Sequence, residues 1–161
     1  MTSLFNHVRT FGLPSELSRE INEDMTSRGH GVNVAQLDLS QKIANYCFEQ
    51  IDKAYEGAMF TSTNQIMYLE HPVGSSTEAH WDKIYDIFDG NIRGVPILSI
   101  IGVTELAEKG GKFFITTPDG EKREYLSKEN TVVVFPSTFL YRHEMSEVIK
   151  GTRRSFFTWG Y

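Results

Sequence analysis

Residues 78 to 86 read EAHWDKIYD and set His80 two positions before a carboxylate, Asp82. On an extended strand, residues i and i+2 point to the same face. The spacing therefore aims an imidazole nitrogen and a carboxylate oxygen at one point. Two donors leave a metal site incomplete, and a third is available in YRHEMSEVIKGTRRSF, residues 141 to 156. That stretch places His143 in the penultimate strand and Arg153 in the last. If these two strands form a hairpin about Gly151, the even separation of His143 and Arg153 turns both to one side, and Ser155 follows two residues later on the same side. Two histidines and one carboxylate form the facial triad that holds non-haem Fe(II) and leaves positions open. Those positions accept a chelating cosubstrate and dioxygen. A planar arginine fork and a serine hydroxyl beside them suit the far carboxylate of a small dicarboxylic oxo-acid.

Such a constellation needs a rigid frame, and the pattern of the chain supplies one. Up to about residue 60, SELSREINEDMTSR and AQLDLSQKIANYCFEQIDKAYE read as two amphipathic helices. Pro14 and Ser15 suit the start of the first. In the second, Leu37, Ile43, Cys47, Ile51 and Ala54 recur at near-helical spacing. From residue 61 to 161 the chain turns strand-like. QIMYLEH, AHWDKIYDIF, GVPILSIIGVT, KFFITTP, REYLS, TVVVFPS, YRHEMSEVI and RRSFFTWGY are rich in β-branched and aromatic residues and are broken by Gly, Pro, Asn and Asp. The expectation is one mainly β domain over residues 1 to 161, a jelly roll with the N-terminal helices packed on one sheet.

At this point the residues resemble a known family, the Fe(II)- and 2-oxoglutarate-dependent dioxygenases, and within it the prolyl 4-hydroxylase-like group. The resemblance covers roughly residues 65 to 161. Its marks are YLEHPVGSSTEAHWD for the first two ligands, KGGKFF for a double glycine, VVVFPSTFLYRHEM before the last ligand, and KGTRRSFFTW for the clamp. In the family a glycine, an arginine and often a serine follow the distal histidine at eight, ten and twelve residues. Gly151, Arg153 and Ser155 stand there. The resemblance implies a double-stranded β-helix, Fe(II) on His80, Asp82 and His143, and 2-oxoglutarate whose distal carboxylate meets Arg153. It implies decarboxylation to succinate and CO2 coupled to hydroxylation of a prolyl or other peptidyl residue, with ascorbate, by analogy, keeping the iron ferrous. Many relatives carry a tyrosine contacting 2-oxoglutarate in the strand after the first ligands. PILSIIGVT has none, and Tyr68 on a neighbouring strand is the substitute considered.

Competing readings are a jelly-roll binding module that keeps the metal site as a relic, a cupin-like metal hydrolase, and a hydroxylase of a free amino acid or another small molecule. A hydrolase has no need of Arg153 and Ser155. A halogenase of the family replaces the carboxylate ligand, which is present here as Asp82. A nucleic-acid demethylase usually carries a second arginine six residues after the first, where Trp159 stands. The net charge of −5 among 161 residues also argues against a nucleic-acid surface. Cys47 is the single cysteine, so no intrachain disulfide forms and a reducing, cytoplasmic setting is expected. No apolar run reaches the length of a membrane span, so neither a membrane nor a nucleic acid is expected as a partner, only a peptide or small-molecule substrate. Of the remaining candidates, Trp81 is expected to face away from the ligands and pack, Trp159 to lie in the core, Arg154 to point to the opposite face from Arg153, and His71 to be structural. Residues 83 to 94, KIYDIFDGNIRG, are expected to form a mobile lid over the substrate.

Overall fold

The computed structural model describes residues 7–29, 32–55, 62–82, 98–137 and 140–161. The chain opens with strand β1 (Arg9–Gly12), helix α1 (Ser15–Arg28), strand β2 (Val32–Val34) and helix α2 (Leu37–Ala54). Pro14 occupies the cap of α1, as the sequence suggests. Gln36 caps α2, its side chain accepting from the Leu39 amide at 2.9 Å. In α2 the residues Ser40, Ile43, Ala44, Cys47 and Ile51 form one buried stripe. Leu37, expected on that stripe, is the first residue of the helix and is instead 71% exposed.

Ten more strands follow: β3 (Met67–His71), β4 (Thr77–His80), β5 (Leu98–Glu105), β6 (Lys109–Gly110), β7 (Phe113–Thr116), β8 (Lys122–Tyr125), β9 (Thr131–Pro136), β10 (Arg142–Met145), β11 (Val148–Lys150) and β12 (Arg153–Gly160). They build a six-stranded sheet in the order β1-β9-β5-β12-β3-β2, a four-stranded sheet in the order β4-β10-β7-β8, and the small pair β11-β6. Every named pairing is antiparallel. This is the expected jelly roll. Its helical lead-in contributes two strands as well, since β1 and β2 close the two edges of the larger sheet.

The alternation of side chains along the central strands divides the interior into two cores. Leu98 and Ile100 of β5, Val132 and Val134 of β9, Tyr68 of β3 and Phe156 of β12 meet Leu17, Ile21 and Met25 of α1 and Ile43, Cys47 and Ile51 of α2. The opposite face of the same sheet presents Val103, Val133 and Phe135 to Phe113, Ile115 and Met145 of the smaller sheet. The larger sheet is thus covered on both faces, which is why β9 reads as the unbroken apolar run VVVF. Gly102 of β5 is required by this packing. A Cβ there would stand 2.2 Å from the Phe156 ring.

One expectation fails in an informative way. The last two ligand-bearing strands are not a hairpin. β10 belongs to the smaller sheet, paired with β4 and β7, whereas β12 belongs to the larger, between β5 and β3. The segment YRHEMSEVI is split into β10 and β11, and β11 carries the chain across. His143 and Arg153 nevertheless share one interior, because the inner faces of the two sheets look at each other. Among the described residues, no helix is long and apolar enough to cross a membrane. The proposed lid, residues 83 to 94, lies outside the described residues.

Candidate metal centre and its anion pocket

His80 closes β4, and its Cα partner across the ladder is His143 of β10. The two rings sit with centroids 4.2 Å apart. In each ring Nδ1 faces a backbone carbonyl, Glu78 O at 2.8 Å for His80 and Tyr141 O at 3.4 Å for His143. A carbonyl only accepts, so Nδ1 carries the proton and Nε2 keeps its lone pair for a metal. Both Nε2 atoms face Asp82 Oδ1, at 4.0 Å from His80 and 3.4 Å from His143. The three donor atoms lie within 4.8 Å of one another. Adjacent donors around an ion with bonds of about 2.1 Å stand roughly 3 Å apart, so this set needs only a small contraction to hold one.

Asp82 lies just past the end of β4, yet the larger sheet holds its other oxygen. Oδ2 accepts from Trp159 Nε1 at 3.1 Å and from the Ser99 hydroxyl. Ser99 is steadied in turn by Ser137, 2.5 Å away. Burial pushes the Asp82 carboxyl upward, but the neighbouring His143 ring and the hydrogen bonds from Ser99 and Trp159 hold it below the ordinary carboxylate value. Asp82 is therefore an anion with one oxygen occupied and one oxygen offered.

A cavity of about 190 Å³ extends from this cluster. Its wall includes Arg153 and Ser155 of β12 and the apolar side chains of Leu69, Ile101, Phe113, Met145 and Phe157. Arg153 is only 2% exposed. One guanidinium N–H donates to Gly111 O at 2.9 Å, and among the described residues no carboxylate forms an ion pair with it. Burial lowers the Arg153 pKa to about 10, with Glu124 pulling the other way. A buried cation without a counter-ion is costly, and the pocket beside it suits a carboxylate. The double glycine serves this arrangement. Gly110 and Gly111 both take positive φ, and a Cβ on Gly110 would strike Glu147 O at 2.1 Å. Only glycine allows the tight turn that brings the Gly111 carbonyl to Arg153.

The structure thus brings His80, Asp82, His143, Arg153 and Ser155 to one cavity. It does not bring Tyr68 there. Tyr68 pairs with Phe156 and points with it toward the helices, where its hydroxyl donates to Asp24 Oδ2 at 2.8 Å. On β3 it is Leu69 and His71 that reach the cavity. Period-two parity rules Tyr68 out once the face of Ser155 is known, because Ser155 pairs with Leu69. Three contributors were missed. Trp159 holds Asp82 rather than filling the core. Ser99 does the same, and its signal was a hydroxyl inside the apolar run PILSIIGVT. His71 lines the cavity, and nothing local marked it. Trp81 does face away from the ligands, but it is 47% exposed with the Arg142 guanidinium 5.5 Å from its ring centre, rather than packed. Arg154 points to the opposite face from Arg153, meeting Glu70, Glu105 and Thr26.

No family model and no curated protein sequence matches the chain. Solved structures do. A prolyl-4-hydroxylase from Pseudomonas putida superposes with a TM-score of 0.72 at 15% identity, covering 96% of this chain and 91% of that one. The viral collagen prolyl hydroxylase of Paramecium Bursaria Chlorella virus-1, solved as its 2OG complex, gives 0.72 at 14% identity over 96% of this chain and 94% of its own. A Trichoplax adhaerens prolyl hydroxylase, in complex with a peptide fragment of the hypoxia inducible factor oxygen degradation domain, gives 0.74 at 14% identity over 97% and 84%. At such identities the likeness establishes the fold, that of the prolyl 4-hydroxylase-like 2-oxoglutarate oxygenases.

Proposed function

We propose that the chain is an Fe(II)- and 2-oxoglutarate-dependent oxygenase that hydroxylates a prolyl or other peptidyl residue and releases succinate and CO2. The observation that carries this reading is Arg153: a buried guanidinium, with no carboxylate ion pair among the described residues, in the same cavity as the His80, Asp82 and His143 cluster. A hydrolase or a bare metal-binding module has no use for that cation. An anionic cosubstrate that also chelates the metal does.

In this reading His80 and His143 give Nε2 to the ion and Asp82 gives Oδ1. Bound there, a ferrous ion supplies the redox chemistry that activates dioxygen, with 2-oxoglutarate as the co-reductant. Trp159 and Ser99 occupy Oδ2, so Asp82 would offer the ion its other oxygen, Oδ1. Arg153 pairs with the distal carboxylate, and the Ser155 hydroxyl, buried on the same face of β12, adds a hydrogen bond. Leu69, Ile101, Phe113 and Phe157 exclude water and strengthen that pairing. A peptidyl substrate is favoured by the Trichoplax neighbour, which is solved with a peptide bound.

The test is incubation with Fe(II), 2-oxoglutarate and ascorbate, with and without a peptide pool. The expected result is succinate release and gain of one oxygen atom by a peptide. Succinate release with oxygen gained only by a free amino acid or other small molecule moves the substrate class. No succinate under any condition overturns the oxygenase reading and leaves a binding module.

A further inference from the structure

The cavity contains one more base that the metal cluster does not use. His71 ends β3 and lies directly across the ladder from Arg153. Both side chains line the cavity. The Nδ1 atom of His71 is buried and, among the described residues, has no hydrogen-bond partner. Unsatisfied buried ring nitrogens are uncommon in folded proteins, and one beside an ion-accepting pocket points to a ligand. We propose that His71 and Arg153 together form the anion seat of this cavity, and that His71 takes up a proton from solvent when a dicarboxylate binds. The inference rests on the reading of the cavity as a 2-oxoglutarate site.

The physical reason lies in the charges that His71 faces. Burial first, and then the Arg153 cation, hold its pKa below the ordinary histidine value, so the ring is neutral at pH 7. A carboxylate arriving at Arg153 cancels the charge that disfavours the imidazolium and adds one that favours it. Among the described residues, the other titratable groups around the cavity are His80, Asp82 and His143, and Glu124 acts on Arg153 from β8. Glu70, the neighbour of His71 on β3, turns to the far face and meets Arg154. With a metal in place, His80 and His143 are fixed as neutral ligands and take up no proton. Among the described residues, His71 is then the remaining group in the cavity that gains charge near neutrality. Binding takes one proton from solvent onto the ring, forming one N–H bond and breaking no bond in the protein.

The experiment is calorimetric titration of 2-oxoglutarate into Mn(II)-saturated protein without oxygen, in buffers of different ionisation enthalpy, between about pH 6 and 8. The expected result for the wild-type protein is a binding enthalpy that depends on the buffer, with proton uptake. Affinity should fall with rising pH by up to about tenfold per unit. His71→Gln, which keeps a hydrogen-bond donor and cannot ionise, should still bind but lose both dependences. Equal buffer dependence in the two proteins overturns the role of His71 while leaving the 2-oxoglutarate site intact. If His71→Gln does not fold, the wild-type series decides alone, since an enthalpy independent of buffer overturns proton uptake. Absence of 2-oxoglutarate binding at every pH overturns the functional reading and this inference with it.

Discussion

At the scale of single residues, the chemistry depends on which atom of each side chain is already spoken for. His80 and His143 give Nδ1 to the backbone, Asp82 gives Oδ2 to the larger sheet, and Arg153 gives one N–H to Gly111. What each has left points into one cavity. Under the proposed function, Arg153→Ala removes from the described lining of the cavity the cation that would meet the distal carboxylate of 2-oxoglutarate. The loss is about 2–5 kcal/mol for a desolvated pair, so the 2-oxoglutarate KM should rise by about thirtyfold or more. Metal binding by the variant should be unchanged. Steady-state succinate release against cosubstrate concentration checks the first, and calorimetry with Mn(II) the second. A KM within about twofold of wild type would remove Arg153 from the site. The spacing of His80, Asp82, His143 and Arg153 made them visible in the sequence, through the His-x-Asp pair and the ten residues from His143 to Arg153. His71 was read as structural, because β3 is covered on both faces and neither Tyr68 nor Leu69 betrays which way it points.

At the scale of elements, strands could be read and their partners could not. The eight apolar runs locate most of the sheet, and α1 spans the residues expected of it. β2 and β6 have only three and two residues, too few for alternation to emerge, and β1, RTFG, holds a single apolar side chain, Phe11. They exist because a neighbouring strand offers them hydrogen bonds. The assumed hairpin gave the right facing for His143 and Arg153 by the wrong route, since two opposed sheets also turn alternate residues into one interior. A related contact fixes the helices. Asp24, near the end of α1, accepts from the Gln36 amide at the start of α2 at 2.9 Å and from the Tyr68 hydroxyl of β3 at 2.8 Å. Burial pushes its carboxyl upward, but these bonds and Arg28 outweigh burial and hold it below the ordinary value. A carboxyl so lowered adds stability above its unfolded pKa of about 4 and loses it as pH falls through the folded value. Asp24→Asn should therefore cost about 1–3 kcal/mol at neutral pH. The cost should shrink as the medium is acidified below that unfolded value. Urea unfolding of both proteins at the two pH values measures it. An equal loss at both would assign the effect to packing.

At the scale of the molecule, three layers are stacked: helices, the larger sheet buried on both faces, and the smaller sheet with one face in solvent. That outer face carries paired charge and aromatic contacts, Lys122 over Phe114 and Arg142 over Trp81. The two sheets press together through Phe113, Ile115, Val133 and Phe135. At the cavity end that apolar contact gives way to polar groups, and the join there is Asp82, covalently continuous with β4 and hydrogen-bonded to β5 and β12. An ion held by His80, His143 and Asp82 would then act as a rivet, since its bonds would run to one sheet directly and to the other through the carboxylate. Global unfolding would part β4 from β10 and lose the ion, so metal affinity becomes resistance to unfolding. With the free ion about a hundredfold above its dissociation constant, the folded state gains about 2.7 kcal/mol, which for a chain of this size raises the melting midpoint by about 5–10 °C. Mn(II) should produce that rise in the wild-type protein and none in Asp82→Ala, as followed by differential scanning calorimetry. A roll of this design would be stiff when loaded and loose when empty, so supply of the metal would set how long the protein survives proteolysis.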